Sequence, residues 1–363
     1  MEKTKKICVY AIAKNEEKFV KRWVDSMSEA DLIIVGDTGS TDKTFTLLKE
    51  LKVSVHEIKI DPWRFDDARN KVLSLIPKDY DICVSTDLDE SFEKGWREKL
   101  ETAWKEDTTR LKFNFNWSFD KYGKPSISFL IDKIHQNNIY QWQNPVHEVL
   151  KYKGEAKEKI DYALGIVLNH YPDSSKKRSQ YLPLLELGAK EDEENDRNIH
   201  YLGREYMYYQ KWDKSIKTLK KHLNLKTATW KDERCASMRY IARCYFNKKK
   251  IQQARKWLKQ ALNEAPYLRE PYVEMAMLEY EFNNWEKAYH FCYEALKINN
   301  KSLSYINEPY AWDSTIYDIS SICCYHLNKL DEALYYSNIA IELDKDNQQL
   351  KETNLLIKNK KRD

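Results

Sequence analysis

Between residues 7 and 87 two hydrophobic periodicities alternate, a pattern that few architectures accommodate. The runs "ICVYAIA", "DLIIVGD", "VSVHEIKI" and "DICVSTD" are short and rich in β-branched or aromatic residues, whereas "EEKFVKRWVDSM", "TDKTFTLLKEL" and "DARNKVLSLI" place apolar residues at helical spacing. Strands joined by helices predict a Rossmann-like α/β domain with a mostly parallel sheet. Ligands of such sheets occupy the crevice beyond the carboxyl ends of the strands, where loops carry the chemistry. Three of those ends are polar here, at Lys14, Asn15 and Glu16, at Asp37 through Asp42, and at Asp87 through Glu90. All three are expected on one edge. From Thr109 to about His170, alternating aromatic segments such as "RLKFNFNWSF" and "SISFLI" predict antiparallel strands that complete the sheet.

The polar, basic stretch "YPDSSKKRSQ" reads as a boundary. It divides the chain into an α/β domain at 1–175, a linker and connecting helix at 176–196, and an all-α array at 197–363. In the array, Ala242, Tyr245, Ala254, Leu258, Ala261 and Pro266 recur 34 residues later as Ala276, Glu279, Ala288, Cys292, Ala295 and Asn300. That period belongs to the tetratricopeptide repeat, whose small residues let paired helices approach closely. Degenerate copies around Gly203 and Ser215, and around Ala333 and Ala340, bring the solenoid to about four repeats. The 45-residue spacing from Ala288 to Ala333 marks an insert near 301–311 that contains "YINEPYAW". On the usual repeat geometry Arg197, His200, Arg204, Arg239, Arg243, Phe246, Met277 and Tyr280 fall on first helices. They line a basic, aromatic concave groove, or else solvate and cap neighbouring helices.

A chain of 363 residues exceeds the usual size of one domain. Sixty-one Lys and Arg against 57 Asp and Glu leave a net charge of +4, which excludes the charge excess of a nucleic-acid binder. The seven cysteines form no CxxC pair and no leader precedes the first strand, so reduced, buried thiols in a cytoplasm are expected. No apolar run approaches the roughly 18 to 20 residues that span a bilayer, which leaves only peripheral membrane contact.

In "VSTDLDESF" an apolar strand ends in Asp87, Asp89 and Glu90. Two carboxylates one residue apart can bend toward a hard divalent cation, Mg²⁺ or Mn²⁺, which shares its oxygen ligands with substrate phosphates. A turn or a solvated loop is the other explanation of the pair. In "VGDTGSTDKT", Gly36 and Gly39 permit close approach and positive φ, and Thr41 is placed to cap a helix that begins near Asp42. Turn and cap together leave Asp37 without a role. Arg69 and Asn70 open the helical part of "DDARNKVL", where Arg grips phosphate bidentately beside backbone donors or pairs with Asp66 or Asp67.

In order and spacing, "AIAKNEE", "VGDTGSTDKT", "FDDARNKVL" and "STDLDE" resemble the family 2 glycosyltransferases, a likeness that covers about 170 residues. With its repeats the chain resembles bacterial repeat-containing family 2 enzymes, a group similar to the S-glycosyltransferase that modifies the bacteriocin sublancin. That narrower likeness rests on "FDDARN", "NPVHE" and "LNHYP". The resemblance implies a GT-A fold and metal-dependent, inverting transfer of a hexose from a UDP-linked nucleotide sugar. By resemblance Asp37 recognises uracil or ribose, Asn15 and Glu16 line the same pocket, and Arg69, Asn70 and Asp87 hold the donor. Asp87, Asp89 and His170 would hold Mn²⁺ or Mg²⁺. Glu148 of "NPVHEVL" would be the base, with His147 beside it on metal, phosphate or acceptor. Asp132 and Asp173 rival Glu148, and a helix start after Pro145 is the other role open to it. Trp63, Trp117 and Trp142 either stack on sugar or base or pack in the core.

The expected acceptor is a glycan, peptide or protein, held partly by the groove and the insert. A repeat array also serves as a dimer interface, so a homodimer is open. The alternative function is a catalytically inactive transferase-like domain on a peptide-binding scaffold.

Overall fold

A computed structural model describes residues 5–173 and 180–362, so residues 174–179 of the polar boundary stretch lie outside the described residues. The chain divides into two units, Met1–Gly188 and Ala189–Asp363. In the first, β1 (Ile7–Ala13), α1 (Glu17–Met27), β2 (Leu32–Asp37), α2 (Thr44–Glu50), β3 (Ser54–Glu57), α3 (Phe65–Leu73) and β4 (Ile82–Ser85) follow the alternation of the sequence. β1 lies between β2 and β4, parallel to both, with Cys8 opposite Leu32 on one side and Cys83 on the other. Its period-2 pattern covers both faces of the sheet: Ile7, Val9 and Ala11 pack with Val20 and Trp23 of α1, and Cys8 and Tyr10 with Ala68 and Val72 of α3. β1 is therefore a continuous apolar run.

β5 (Glu90–Phe92), α4 (Trp96–Ala103), β6 (Arg110–Phe119), β7 (Pro125–Gln136), β8 (Tyr140–Gln143), β9 (Val149–Tyr152) and β10 (Ile160–His170) complete the domain. The sheet order is β3-β2-β1-β4-β7-β6-β10-β5, with β8 and β9 forming a separate hairpin. β7 is antiparallel to β4 and β6, as the alternating aromatic pattern predicts. The same pattern led to an antiparallel β10, yet β10 runs parallel to β6 and antiparallel to β5. Alternation reports which faces are buried and not strand direction. Direction is set here by β7 and the β8–β9 hairpin, which carry the chain back before β10 begins.

Near the end of β2, an added Cβ at Gly36 would lie 2.3 Å from Val72 Cγ2, and beyond the strand Gly39 has φ of +97°. Both glycines are thus required, one for helix approach and one for the turn. The cap differs from expectation. Asp42, not Thr41, serves α2, accepting from the Thr44 N–H (2.9 Å) and also from the Glu17 N–H (3.2 Å). The Thr41 N–H donates instead to Asn15 Oδ1 at 2.7 Å.

Helix α5 (Tyr181–Glu191) crosses the division between the units. Four helix pairs follow: α6 (Asp196–Tyr208) with α7 (Trp212–Asn224), α8 (Lys231–Asn247) with α9 (Ile251–Glu264), α10 (Glu270–Glu281) with α11 (Trp285–Leu296), and α12 (Thr315–His326) with α13 (Leu330–Leu343). Helix α14 (Gln348–Arg362) ends the described chain. Each pair turns on a residue with positive φ, at Gln210, Lys249, Asn283 and Asn328. The small residues of the period are buried where helices meet: Ala242, Ala254, Ala261, Ala276, Ala288, Ala295, Ala333 and Ala340. At Gly203 a Cβ would lie 2.5 Å from Leu219 Cδ2. The second unit is a tetratricopeptide-type solenoid, and among the described residues no helix is long and apolar enough to cross a membrane.

The insert between α11 and α12 does not project as a loop. Tyr305 stacks on Tyr201 of α6 with centroids 5.7 Å apart, and the Ile306 carbonyl accepts from Arg239 of α8 at 3.2 Å. Glu308 pairs with Arg243 at 2.6 Å, the Tyr310 hydroxyl donates to Glu274 of α10 at 2.7 Å, and the Trp312 indole donates to Glu270 at 3.0 Å. First helices of three successive repeats thus carry the insert on the face predicted to be an open groove. The basic groove needs correction accordingly. His200 and Arg239 are 0% exposed, and Glu274 and Glu308 together neutralise Arg239 and Arg243. Phe246, Met277 and Tyr280 pack against core clusters. A guanidinium buried this deeply requires carboxylate partners, which a 34-residue period does not reveal.

Asp318 of α12 has a buried Oδ1 with no hydrogen-bond partner, and burial pushes its carboxyl up to about 6. Between about pH 4 and that value the folded chain holds a proton that the unfolded chain releases, so stability falls as pH rises through the window. Relative to wild type, Asp318→Asn should therefore gain about 1 to 2 kcal/mol between pH 4 and pH 7, read from urea midpoints. Parallel curves for the two proteins would contradict this assignment.

Candidate active site

The three carboxylates that follow β4 are held by three side chains, Arg69, Lys133 and His170, with Lys133 shared between Asp87 and Glu90. Asp87 accepts from Arg69 Nη2 (2.8 Å) at Oδ1 and from Lys133 Nζ (3.1 Å) at Oδ2, with 35% of its side chain exposed. Burial opposes its ionisation, but Arg69 and Lys133 hold it well below the usual carboxylate range. Leu88 is buried in the core, and beyond it Asp89 Oδ2 lies 3.4 Å from His170 Nε2. Glu90 is buried at the start of β5, accepting from the Asp87 N–H (2.9 Å) and from Lys133 Nζ (3.1 Å). Burial pushes Glu90 up to about 7, against the pull of Lys133 and with the push of Asp87 and Asp89.

His170 ends β10. Its Nδ1 lies 2.9 Å from the Trp117 carbonyl, and its ring stacks on Trp117 with centroids 4.3 Å apart. Burial works against its charge, yet Asp89 and the Trp117 carbonyl raise its pKa above the ordinary value. The register of β5 on β10 sets Glu90 opposite His170, which brings a residue read 80 positions later to the acidic strand end.

Arg69, buried on α3, is the link between this strand end and the "NPVHE" loop. It donates through Nη2 to Asp87, through Nη1 to Ser85 Oγ (3.4 Å), and through Nε to Glu148 Oε1. The Trp142 ring lies beneath it, 5.2 Å from the guanidinium carbon. Burial disfavours its charge, but Asp87 and Glu148 raise its pKa further above the ordinary arginine value. The neighbouring Asp66 and Asp67, the alternative partners that the sequence offers, pair with Arg64 instead.

The Asn70 amide has backbone partners. Its Nδ2 donates to the Trp142 carbonyl (2.9 Å) and its Oδ1 accepts from the Trp142 N–H (2.8 Å), so the amide is committed to the backbone of β8. This pairing, with the Phe65 N–H donating to the Pro145 carbonyl (3.0 Å), fastens the β8–β9 hairpin to α3. The loop itself uses positive φ at Asn144 and His147 and runs directly into β9, so Glu148 starts no helix. The His147 ring turns toward Tyr181, 5.8 Å between centroids.

At the end of β2, Asp37 is buried and does have a turn role. Its Oδ1 accepts from the N–H groups of Gly39 (2.9 Å) and Ser40 (2.8 Å), while Oδ2 is buried with no hydrogen-bond partner. Asn15, in a positive-φ conformation after β1, receives the Thr41 N–H and gives its own N–H to Ser40 Oγ (2.9 Å). The neighbouring Glu16 N–H donates to Thr44 Oγ1 (2.7 Å). Asn15 and Glu16 therefore brace the loop that presents Asp37.

The rivals for Glu148 are paired elsewhere: Asp132 with Arg110 (3.3 Å) and Asp173 with Lys18 (2.6 Å). Trp142 is core, its indole donating to the Tyr10 hydroxyl at 2.8 Å, and Trp63 packs edge-on against Phe65. Trp117 remains 45% exposed beside His170. A cleft of about 540 Å³ opens there, lined by Lys18, Phe19, Arg22, Phe119, His170 and Tyr171. Sequence reading missed Lys133, which lies toward the C-terminal end of β7. A lysine inside the apolar run "FLIDKIH" was the available signal, because a half-buried strand tolerates a cation only opposite carboxylates.

Residues 8–146 match the family model of glycosyl transferase family 2. The first unit is a family 2 glycosyltransferase domain with a GT-A-like sheet, and the protein is a glycosyltransferase followed by tetratricopeptide-type repeats. No curated protein matches the chain. Solved structures similar to it include pilF of Pseudomonas aeruginosa (14% identity over 47% of this chain and 70% of that one, TM-score 0.39). MamA is also similar (19% identity, 48% and 96%, TM-score 0.37). So is YrrB, described as a TPR protein with an unusual peptide-binding site (13% identity, 49% and 84%, TM-score 0.40).

Asn70→Ala should cost about 1 to 3 kcal/mol in urea unfolding, because it strands the Trp142 N–H and carbonyl, while nucleotide affinity changes little. Lost affinity at unchanged stability would return Asn70 to the donor.

Proposed function

We propose that the protein transfers a sugar, with inversion, from a UDP-linked donor to a glycan, peptide or protein acceptor held in part by the repeats. The observation that carries this reading is the Asp89–His170 pair. The Trp117 carbonyl can only accept, so His170 Nδ1 carries a proton, and Nε2, which shares its proton with Asp89 when no ion is present, would turn its lone pair to a cation held between the two side chains. A carboxylate oxygen and an imidazole nitrogen 3.4 Å apart fit Mn²⁺, and Mg²⁺ through the oxygen. When bound, the ion supplies neutralisation of the diphosphate leaving group. Asp87, kept ionised by Arg69 and Lys133, is the second carboxylate of the site.

Asp37 Oδ2 supplies the acceptor that a uracil N–H or a ribose hydroxyl requires. A buried oxygen without a donor favours a ligand that brings one. Arg69 and Lys133 set positive charge beside the departing diphosphate. Glu148 is the base: Arg69 orients it through Oε1, and Oε2 takes the acceptor proton. On the repeats, Arg204 lies over Tyr201 and beside Tyr208, which is 53% exposed, a surface suited to acceptor contact. The seven described cysteines are all buried and unpaired, which supports a reducing, cytoplasmic location.

Calorimetric titration of UDP, GDP and CDP, with and without Mn²⁺, tests the donor assignment. UDP should bind only with the metal, and the Asp89→Asn, His170→Asn double variant should lose at least about tenfold in affinity. Equal binding by that variant would sink the metal assignment. Glu148→Gln should lower kcat by roughly 10² to 10⁴ while donor affinity is retained.

A further inference from the structure

Three metal-type side chains meet inside the helical unit. His200 of α6, His222 in the last turn of α7 and Glu233 of α8 are buried, and one ligand atom from each lies within 4.8 Å of the others. Their hydrogen bonds follow the pattern of a metal site. Ser237, one turn beyond Glu233 on α8, meets both imidazoles through the same ring position. Its Oγ lies 2.8 Å from His200 Nδ1 and 2.9 Å from His222 Nδ1. A hydroxyl oxygen has two lone pairs and accepts from both N–H groups. Each ring is then the tautomer with a bare Nε2, and a fixed acceptor on Nδ1–H is the usual contact that orients a metal-bound histidine. Glu233 Oε1 lies 3.2 Å from His222 Nε2, near the separation of two ligands on a tetrahedral ion with bonds of roughly 2.0 to 2.2 Å. The other oxygen of Glu233 accepts from the Tyr305 hydroxyl of the insert, which orients the carboxylate and leaves the fourth position to a non-protein ligand.

Without an ion these atoms are not all satisfied. His222 then gives Nε2–H to Glu233 and accepts from Ser237 at Nδ1, and Ser237 accepts from His200 Nδ1. His200 Nε2 ends the chain, buried and without a hydrogen-bond partner. Buried polar atoms are normally paired. We infer that His200, His222 and Glu233 bind a structural Zn²⁺ that pins α6, α7 and α8 together and, through Tyr305, holds the insert on them. Two imidazoles select zinc over Mg²⁺ or Ca²⁺, which require oxygen ligands.

Untagged, full-length protein purified without chelator from zinc-supplemented cells should carry one zinc per chain by elemental mass spectrometry. Dialysis against a chelator should lower its melting temperature by on the order of 5 to 10 °C, for zinc supplied at about a hundredfold its dissociation constant, and Zn²⁺ should restore it. Co²⁺ in place of zinc should give the intense visible absorption of a four-coordinate site. His200→Gln and His222→Gln should each lose the zinc, whereas Asp89→Asn should keep it. In chelator both His variants should melt with the metal-free wild type. If either fails to fold, chelation and add-back on the wild type decide the question. A wild-type chain that carries no zinc and gains no stability from added Zn²⁺, or one that loses its zinc with Asp89→Asn, overturns the inference.

Discussion

The glycosyltransferase domain depends on one buried guanidinium. Arg69 is 6% exposed, and a charge so placed persists only with carboxylates on it. It takes one from the end of β4 and one from the loop before β9, so that Asp87 and Glu148, 61 residues apart in sequence, share a partner on α3. Removing Arg69 would leave both acids without their shared partner. Lys133 repeats the device from β7, joining Asp87 to Glu90. The acidic strand end is thus held by cations from two elements, and Asp89 is the member that faces His170.

Much of this was legible in the sequence because it is local. The alternation of two periods named the strands and helices of the parallel half, and polar residues after β1, β2 and β4 marked the loops at the crevice. The 34-residue period located the helix pairs and their small contact residues. What was not legible is non-local. Nothing in "FDDARN" says that Arg69 reaches Asp87 and Glu148 and passes over Asp66 and Asp67. Asn70 looked like its companion on the donor, yet a side-chain amide serves a ligand or a backbone equally well, and Trp142 claims it. Lys133 lies on a strand whose place between β4 and β6 follows from topology alone.

The repeat unit shows the same division. Periodicity put Arg239 and Arg243 on first helices, but their charge is cancelled by Glu274 one repeat later and by Glu308 of the insert. An insert counted as extra residues proved to be a packed element, with Tyr305, Ile306, Tyr310 and Trp312 set against three first helices. Burial of Arg239 and of the aromatic anchors explains why the insert lies flat: leaving it free would expose both the rings and the guanidinium.

The central claim is that the strand end after β4 and the end of β10 together hold a divalent ion against a nucleotide diphosphate. Anomalous diffraction at the manganese edge, from crystals grown with UDP and Mn²⁺, tests it directly. A manganese peak bonded to the Asp89 carboxylate, His170 Nε2 and the diphosphate oxygens is the expected result. Ordered UDP with no manganese there, or with manganese on other side chains, would contradict it.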